Sequence, residues 1–133
     1  MKRKLFWILL LLSVFVACRN EKDMEELALN EELTMKTGDI FQSTTGKLSV
    51  KVTKITDSRC PTGVVCVWQG EATVYLDVNE SKTYEVVLST FHQPVDTVNN
   101  YIFKLINVLP YPVYQVEVPD SDKKVILQIE KLQ

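Results

Sequence analysis

Few residue types in this sequence can do chemistry on their own. There are three cysteines (Cys18, Cys60 and Cys66), a single histidine (His92), and carboxylates at Asp57, Glu71, Asp77, Asp120 and Asp122. One histidine leaves little material for a zinc centre or a Ser-His-Asp arrangement. His92, between Phe91 and Gln93, has no evident nucleophile for which to act as base. The carboxylates are hard oxygen ligands of the kind Ca²⁺ takes six to eight at a time. Asp120-Ser121-Asp122 is too short for an EF-hand loop and reads as a solvated turn. No acid, base, nucleophile and oxyanion donor come together, so the expectation is a protein that is not an enzyme, with no metal and no cofactor.

The N-terminus reads as an address. Met1-Lys-Arg-Lys4 is basic, Leu5 to Ala17 is apolar except for Ser13, and polarity returns after Cys18. Thirteen helical residues span about 20 Å, short of a ~30 Å hydrocarbon core. A basic start, a short apolar middle and a small residue at the end make a secretory signal. Ala17 followed at once by Cys18 resembles a bacterial lipobox, in which the cysteine becomes the lipidated first residue of the mature chain. An ordinary signal peptide and an uncleaved signal anchor are the other readings. The resemblance implies a signal peptide over 1–17, a lipidated Cys18 with an acidic tether over 18–30, and a folded domain over 31–133. It implies anchoring in the bacterial cell envelope, at the outer membrane. Loss of Lys2, Arg3 and Lys4 leaves an acidic body, which stays off anionic headgroups.

An odd cysteine count in an exported protein asks for an explanation. With Cys18 lipidated, Cys60 and Cys66 remain as an even pair in an oxidising compartment, and a disulfide follows. A redox pair would favour Cys-x-x-Cys spacing, and a metal site would need two more ligands. The ring is short, so its chain-entropy contribution is about 2–2.5 kcal/mol. Its main effect is to fix Pro61, Thr62, Gly63, Val64 and Val65.

The most distinctive stretch runs from Asp57 to Glu71, Asp-Ser-Arg-Cys-Pro-Thr-Gly-Val-Val-Cys-Val-Trp-Gln-Gly-Glu. Its Asp57-Ser-Arg-Cys-Pro segment, its Cys66-x-Trp68-x-Gly70 and the later Asn107-Val-Leu-Pro-Tyr-Pro112 resemble a family of small uncharacterised bacterial lipoproteins. The resemblance covers roughly residues 30–133, and it brings no catalytic residue with it. Read bottom-up, Trp68 lies two residues after Cys66, so both should project from one strand face and the indole should pack on the disulfide in the core. Gly70 suggests a bulge or a close backbone approach. Asp57 and Arg59 share a side, and either is expected to pair with Glu71 or to cap loop backbone groups.

These residues must be positioned by strands. Val and Thr abound, while Ala occurs beyond the leader only at 28 and 72, a balance that favours a pleated surface over helix. Leu48, Val50 and Val52 alternate with Lys47, Ser49 and Lys51, and the same two-residue spacing of apolar residues recurs at Val74, Leu76 and Val78; Tyr84, Val86 and Leu88; Tyr101, Phe103 and Leu105; and Val125, Leu127 and Ile129. Turn signals separate them at Thr37-Gly38-Asp39, Thr45-Gly46, Asn79-Glu80-Ser81, Gln93-Pro94, Asn99-Asn100 and Asp120-Ser121-Asp122. Pro110 and Pro112 end any central strand after Leu109. The pattern predicts an all-β domain, a single antiparallel sandwich of Greek-key or Ig-like type with about seven or eight strands, a small barrel being the alternative.

The near balance of 15 Lys+Arg against 17 Asp+Glu gives no electrostatic footprint for nucleic acid. The expected role is a lipid-anchored binding or scaffolding module facing an envelope protein or a glycan. The alternatives are a carbohydrate, peptide or Ca²⁺ module, and an inhibitor-like protein presenting the 60–66 loop, with Val64 and Val65 as exposed apolar contacts.

Overall fold

The computed structural model describes residues 25–133. The leader, Cys18 and the first part of the tether lie outside the described residues. Two sheets pack face to face without closing into a barrel, so the domain is a β-sandwich. One sheet holds β1 (Glu25–Leu27), β3 (Ile40–Ser43), β4 (Ser49–Asp57), β5 (Ala72–Asn79) and β6 (Thr83–Ser89), in that order. The other holds β2 (Glu32–Lys36), β9 (Lys124–Lys131), β8 (Tyr101–Leu109) and β7 (Val95–Val98).

The predicted alternation positions the core. Val50, Val52, Val74, Leu76, Val86, Leu88, Phe103, Val125, Leu127 and Ile129 are all buried between the sheets. Two strands change phase midway. A bulge between Val52 and Lys54 lets Ile55 point inward after Val52, and one between Leu105 and Asn107 does the same for Val108. Each extra residue is turned out of the ladder. Thr53 donates through its hydroxyl to the Tyr75 carbonyl at 3.0 Å, and Ile106 is left exposed.

Two expectations need correction. The acidic tether does not extend to residue 30, because Glu25–Leu27 already form a strand with Leu27 buried in the core. Nor is the sandwich wholly antiparallel: β1 pairs with β3 in parallel. The chain leaves β1 for β2 in the opposite sheet and returns to β3, so two crossings restore the original direction. Among the described residues, no tyrosine ring pairs with another aromatic ring. Lys54 lies over the Tyr75 ring and Arg59 over the Tyr111 ring.

Candidate functional site

Three loops meet at one end of the sandwich. The strand ends Asp57 and Ala72 are paired, as are Thr73 and Ser89, and Leu109 and Lys124. The segments 58–71, 90–94 and 110–123 therefore leave from neighbouring positions. The first and last are stitched together. Thr62 N–H donates to the Pro112 carbonyl and Tyr114 N–H to the Thr62 carbonyl, both at 3.0 Å.

The 58–71 loop has two sides of opposite character. On the inner side, Arg59 makes a two-pronged pair with Asp57, Nε to Oδ1 at 2.8 Å and Nη2 to Oδ2 at 2.6 Å. The Asp57 carboxylate also accepts from the Arg59 backbone N–H. The guanidinium donates onward to the Pro110 carbonyl at 3.3 Å and lies 4.6 Å from the Tyr111 ring centre. The Asp57 and Arg59 side chains are only 5% and 7% exposed. A planar guanidinium suits this setting because it meets a carboxylate with two parallel bonds and stacks on an aromatic face. Asp57 and Arg59 thus pair with each other rather than with Glu71, and they lock the 58–71 loop to the 110–123 loop.

The disulfide between Cys60 and Cys66 is formed. Ser58 N–H donates to the Glu71 carbonyl and Cys60 N–H to the Gln69 carbonyl, so the loop stem is ladder-like. Gly70 sits in this stem at φ +63°, where a Cβ would lie 1.9 Å from the Ser58 carbonyl oxygen. Close backbone approach is therefore the reason for glycine here, as the sequence suggested.

On the outer side, the sequence expectation for Trp68 fails. Residues 64–70 form no strand, so the two-residue period that would place Trp68 inward does not apply. The indole is 83% exposed, and Val65 and Val67 are fully exposed beside it. The apolar contact surface is displaced along the chain. Pro61 and Val64 are half-buried, Thr62 is tied by its backbone to the neighbouring loop, and Val65 carries forward into Val67 and Trp68. Phe91, Tyr111, Val113, Tyr114 and Val116 are exposed on the adjoining loops. Sequence reasoning missed Val67 and Phe91. The available signal was the unbroken run Val64 to Trp68 bracketed by Gly63 and Gly70, which alternation cannot bury on one face.

Trp68, Gln69, Gly70, Glu71, Phe91 and His92 line a cleft of about 330 Å³. A second cleft of about 320 Å³ adjoins it, sharing Gln69, Gly70 and Phe91 and reaching Ile106 and Tyr111. Both lie at the small end of ligand-site volumes. His92 Nδ1 is 2.9 Å from Glu71 Oε2, and the His92 backbone N–H also points to that oxygen at 3.3 Å. The imidazole is 72% exposed. Hydrogen bonding by His92, then by Ser89, holds the Glu71 carboxyl below the ordinary glutamate range. The Phe91 and His92 rings pack in a T-shape, 4.8 Å between centroids. Asp120 is tied to Lys123 at 2.6 Å. Among the described residues, no three His, Cys, Asp or Glu side chains converge as a metal would require. No protein family, curated protein or solved structure matches the chain.

Proposed function

We propose that the chain is a lipid-anchored, non-enzymatic binding module of the bacterial cell envelope, held at the outer membrane through Cys18. It engages an envelope partner through the loop end of the sandwich. One observation carries this reading. Val65, Val67 and Trp68 are displayed to solvent on a loop that is closed by a disulfide and clamped from behind by Arg59. A rigid apolar display of this kind reduces the ordering cost of association, and a central exposed tryptophan is the residue type most often found at the energetic centre of an interface. Asp57, Glu71 and Asp120 at this end are paired with Arg59, His92 and Lys123. Insertion into a protease cleft gains no support. The Thr62 N–H and carbonyl, which an extended inhibitor strand would offer a protease, bond to Pro112 and Tyr114.

The test has two arms in the native cell. Labelling with a palmitate analogue should mark the protein and be lost in Cys18→Ala. A photo-cross-linker at Val67 should give discrete adducts in the envelope, lost on Trp68→Ala. Unchanged adducts in Trp68→Ala would overturn the binding reading, and an unlabelled wild-type protein would overturn the anchor.

A further inference from the structure

We infer that the cleft between Trp68 and Phe91 is an arginine-recognition subsite, taking the guanidinium of an arginine in an extended segment of a partner polypeptide. The inference rests on the binding-module reading and names the chemistry of its partner.

The molecule supplies the template. On the inner side of the 58–71 loop, a guanidinium lies between a carboxylate, Asp57, and an aromatic ring, Tyr111. On the outer side the same two elements recur. Glu71 supplies the carboxylate, and Trp68 and Phe91 supply aromatic surfaces across one cleft. Among the described residues lining it there is no lysine or arginine; Glu71 is met by neutral Ser89 and by the His92 imidazole, which engages the oxygen Oε2. Trp68 and Phe91 are 83% and 59% exposed, so both rings present surface to an incoming group, Phe91 beside its edge-to-face contact with His92. Cations are attracted to aromatic faces, indole most strongly, and the weakly hydrated guanidinium is the cation best suited to stack there while meeting a carboxylate edge-on. The charge is complementary as well, because the site offers a carboxylate and the chain as a whole is net negative.

The second cleft argues for a polypeptide rather than a single sugar ring. It continues past Phe91 and Gly70 toward the bulged Ile106 and Tyr111, with Thr90 and Asn107 among its lining, so residues flanking the arginine have both apolar and hydrogen-bonding groups to follow. Gln69, shared by both clefts, can pair with backbone groups of such a segment.

The experiment uses the full-length protein in detergent micelles, reading the Trp68 indole N–H by NMR. The probes are a capped Gly-Arg-Gly peptide, its citrulline counterpart, which is isosteric but uncharged, and methyl glucoside. The arginine peptide should move the signal saturably, and the citrulline peptide should bind at least about tenfold more weakly. Glu71→Gln should reduce the arginine response by a similar factor. Phe91→Ala, an exposed position, provides a second variant with the same expected loss; core methyl signals of Val74 and Leu76 confirm that both remain folded. Equal responses to the arginine and citrulline peptides, a response to methyl glucoside alone, or no saturable response to any probe would overturn the inference. The parent reading fails separately. If the arginine peptide does not bind but Trp68→Ala still abolishes the Val67 adducts, the module binds a partner of other chemistry. If the arginine peptide binds while the adducts persist in Trp68→Ala, the subsite stands and the proposed docking surface does not.

Discussion

Asp57 and Glu71 stand at the two feet of one loop, the first at the end of β4 and the second just before β5. Both are carboxylates with a basic side chain as partner, yet they have opposite fates. Asp57 is buried against Arg59 and fastens two loops together. Glu71 lies at the rim of a cleft, with an exposed histidine as its partner. Burial separates a fastening from a carboxylate left accessible to solvent. A desolvated pair is costly to break because the survivor keeps its charge without a partner, whereas an exposed pair contributes little and is free to exchange.

The contrast can be broken most forcefully at Arg59. Arg59→Ala strands the Asp57 carboxylate, and an unfolding free energy lower by about 3–5 kcal/mol is expected in a denaturant titration. A cost below about 1 kcal/mol would place this pair in the exposed class with Glu71. Gly70→Ala comes next. A methyl cannot occupy the space against the Ser58 carbonyl at positive φ, so a loss of at least about 2 kcal/mol is expected, with the loop signals shifted in NMR spectra. Removing both loop cysteines, as Cys60→Ala with Cys66→Ala, should cost about 2–2.5 kcal/mol and leave the sheet signals in place. Trp68→Ala should change stability by less than about 0.5 kcal/mol, since the indole covers no core, while removing the envelope adducts. The smallest effect belongs to His92→Ala, read as an upward move of the Glu71 titration toward the ordinary glutamate value in a carboxyl-detected NMR titration. The sign follows from the lowered folded value. Whatever stability the contact adds is present above the unfolded glutamate value and is lost as pH falls through the folded one, so the melting temperatures of wild type and His92→Ala should converge in acid.

The strands were legible because one buried face imposes a two-residue period, and Val74-Leu76-Val78 or Val125-Leu127-Ile129 show it without interruption. The bulges at Thr53 and Ile106 were not, since one residue turned out of a ladder leaves the local composition unchanged. β1 was hidden by its brevity and its glutamates, with Leu27 the only one of its residues to reach the core. At the candidate site, the disulfide and the need for glycine at 70 were visible in residue types. The outward turn of Trp68 was not, because side-chain direction follows alternation only where a ladder holds the backbone flat. The Asp57–Arg59 pair was half visible. The residues were singled out and their capping of loop backbone groups was foreseen, but their pairing with each other was not, because it depends on a loop path that spacing does not encode.

The parallel pairing of β1 has a mechanical consequence. A pull on the N-terminal side of Glu25 loads a three-residue edge pairing before it reaches the antiparallel body. Peeling that edge away would draw Leu27 out of the core and release residues 25–31 as slack, adding roughly 23 Å of reach at 3.3 Å per residue. β2 and the rest of the sandwich would remain closed. Under a pull from its N-terminal side the domain would thus lengthen at this edge before surrendering its fold.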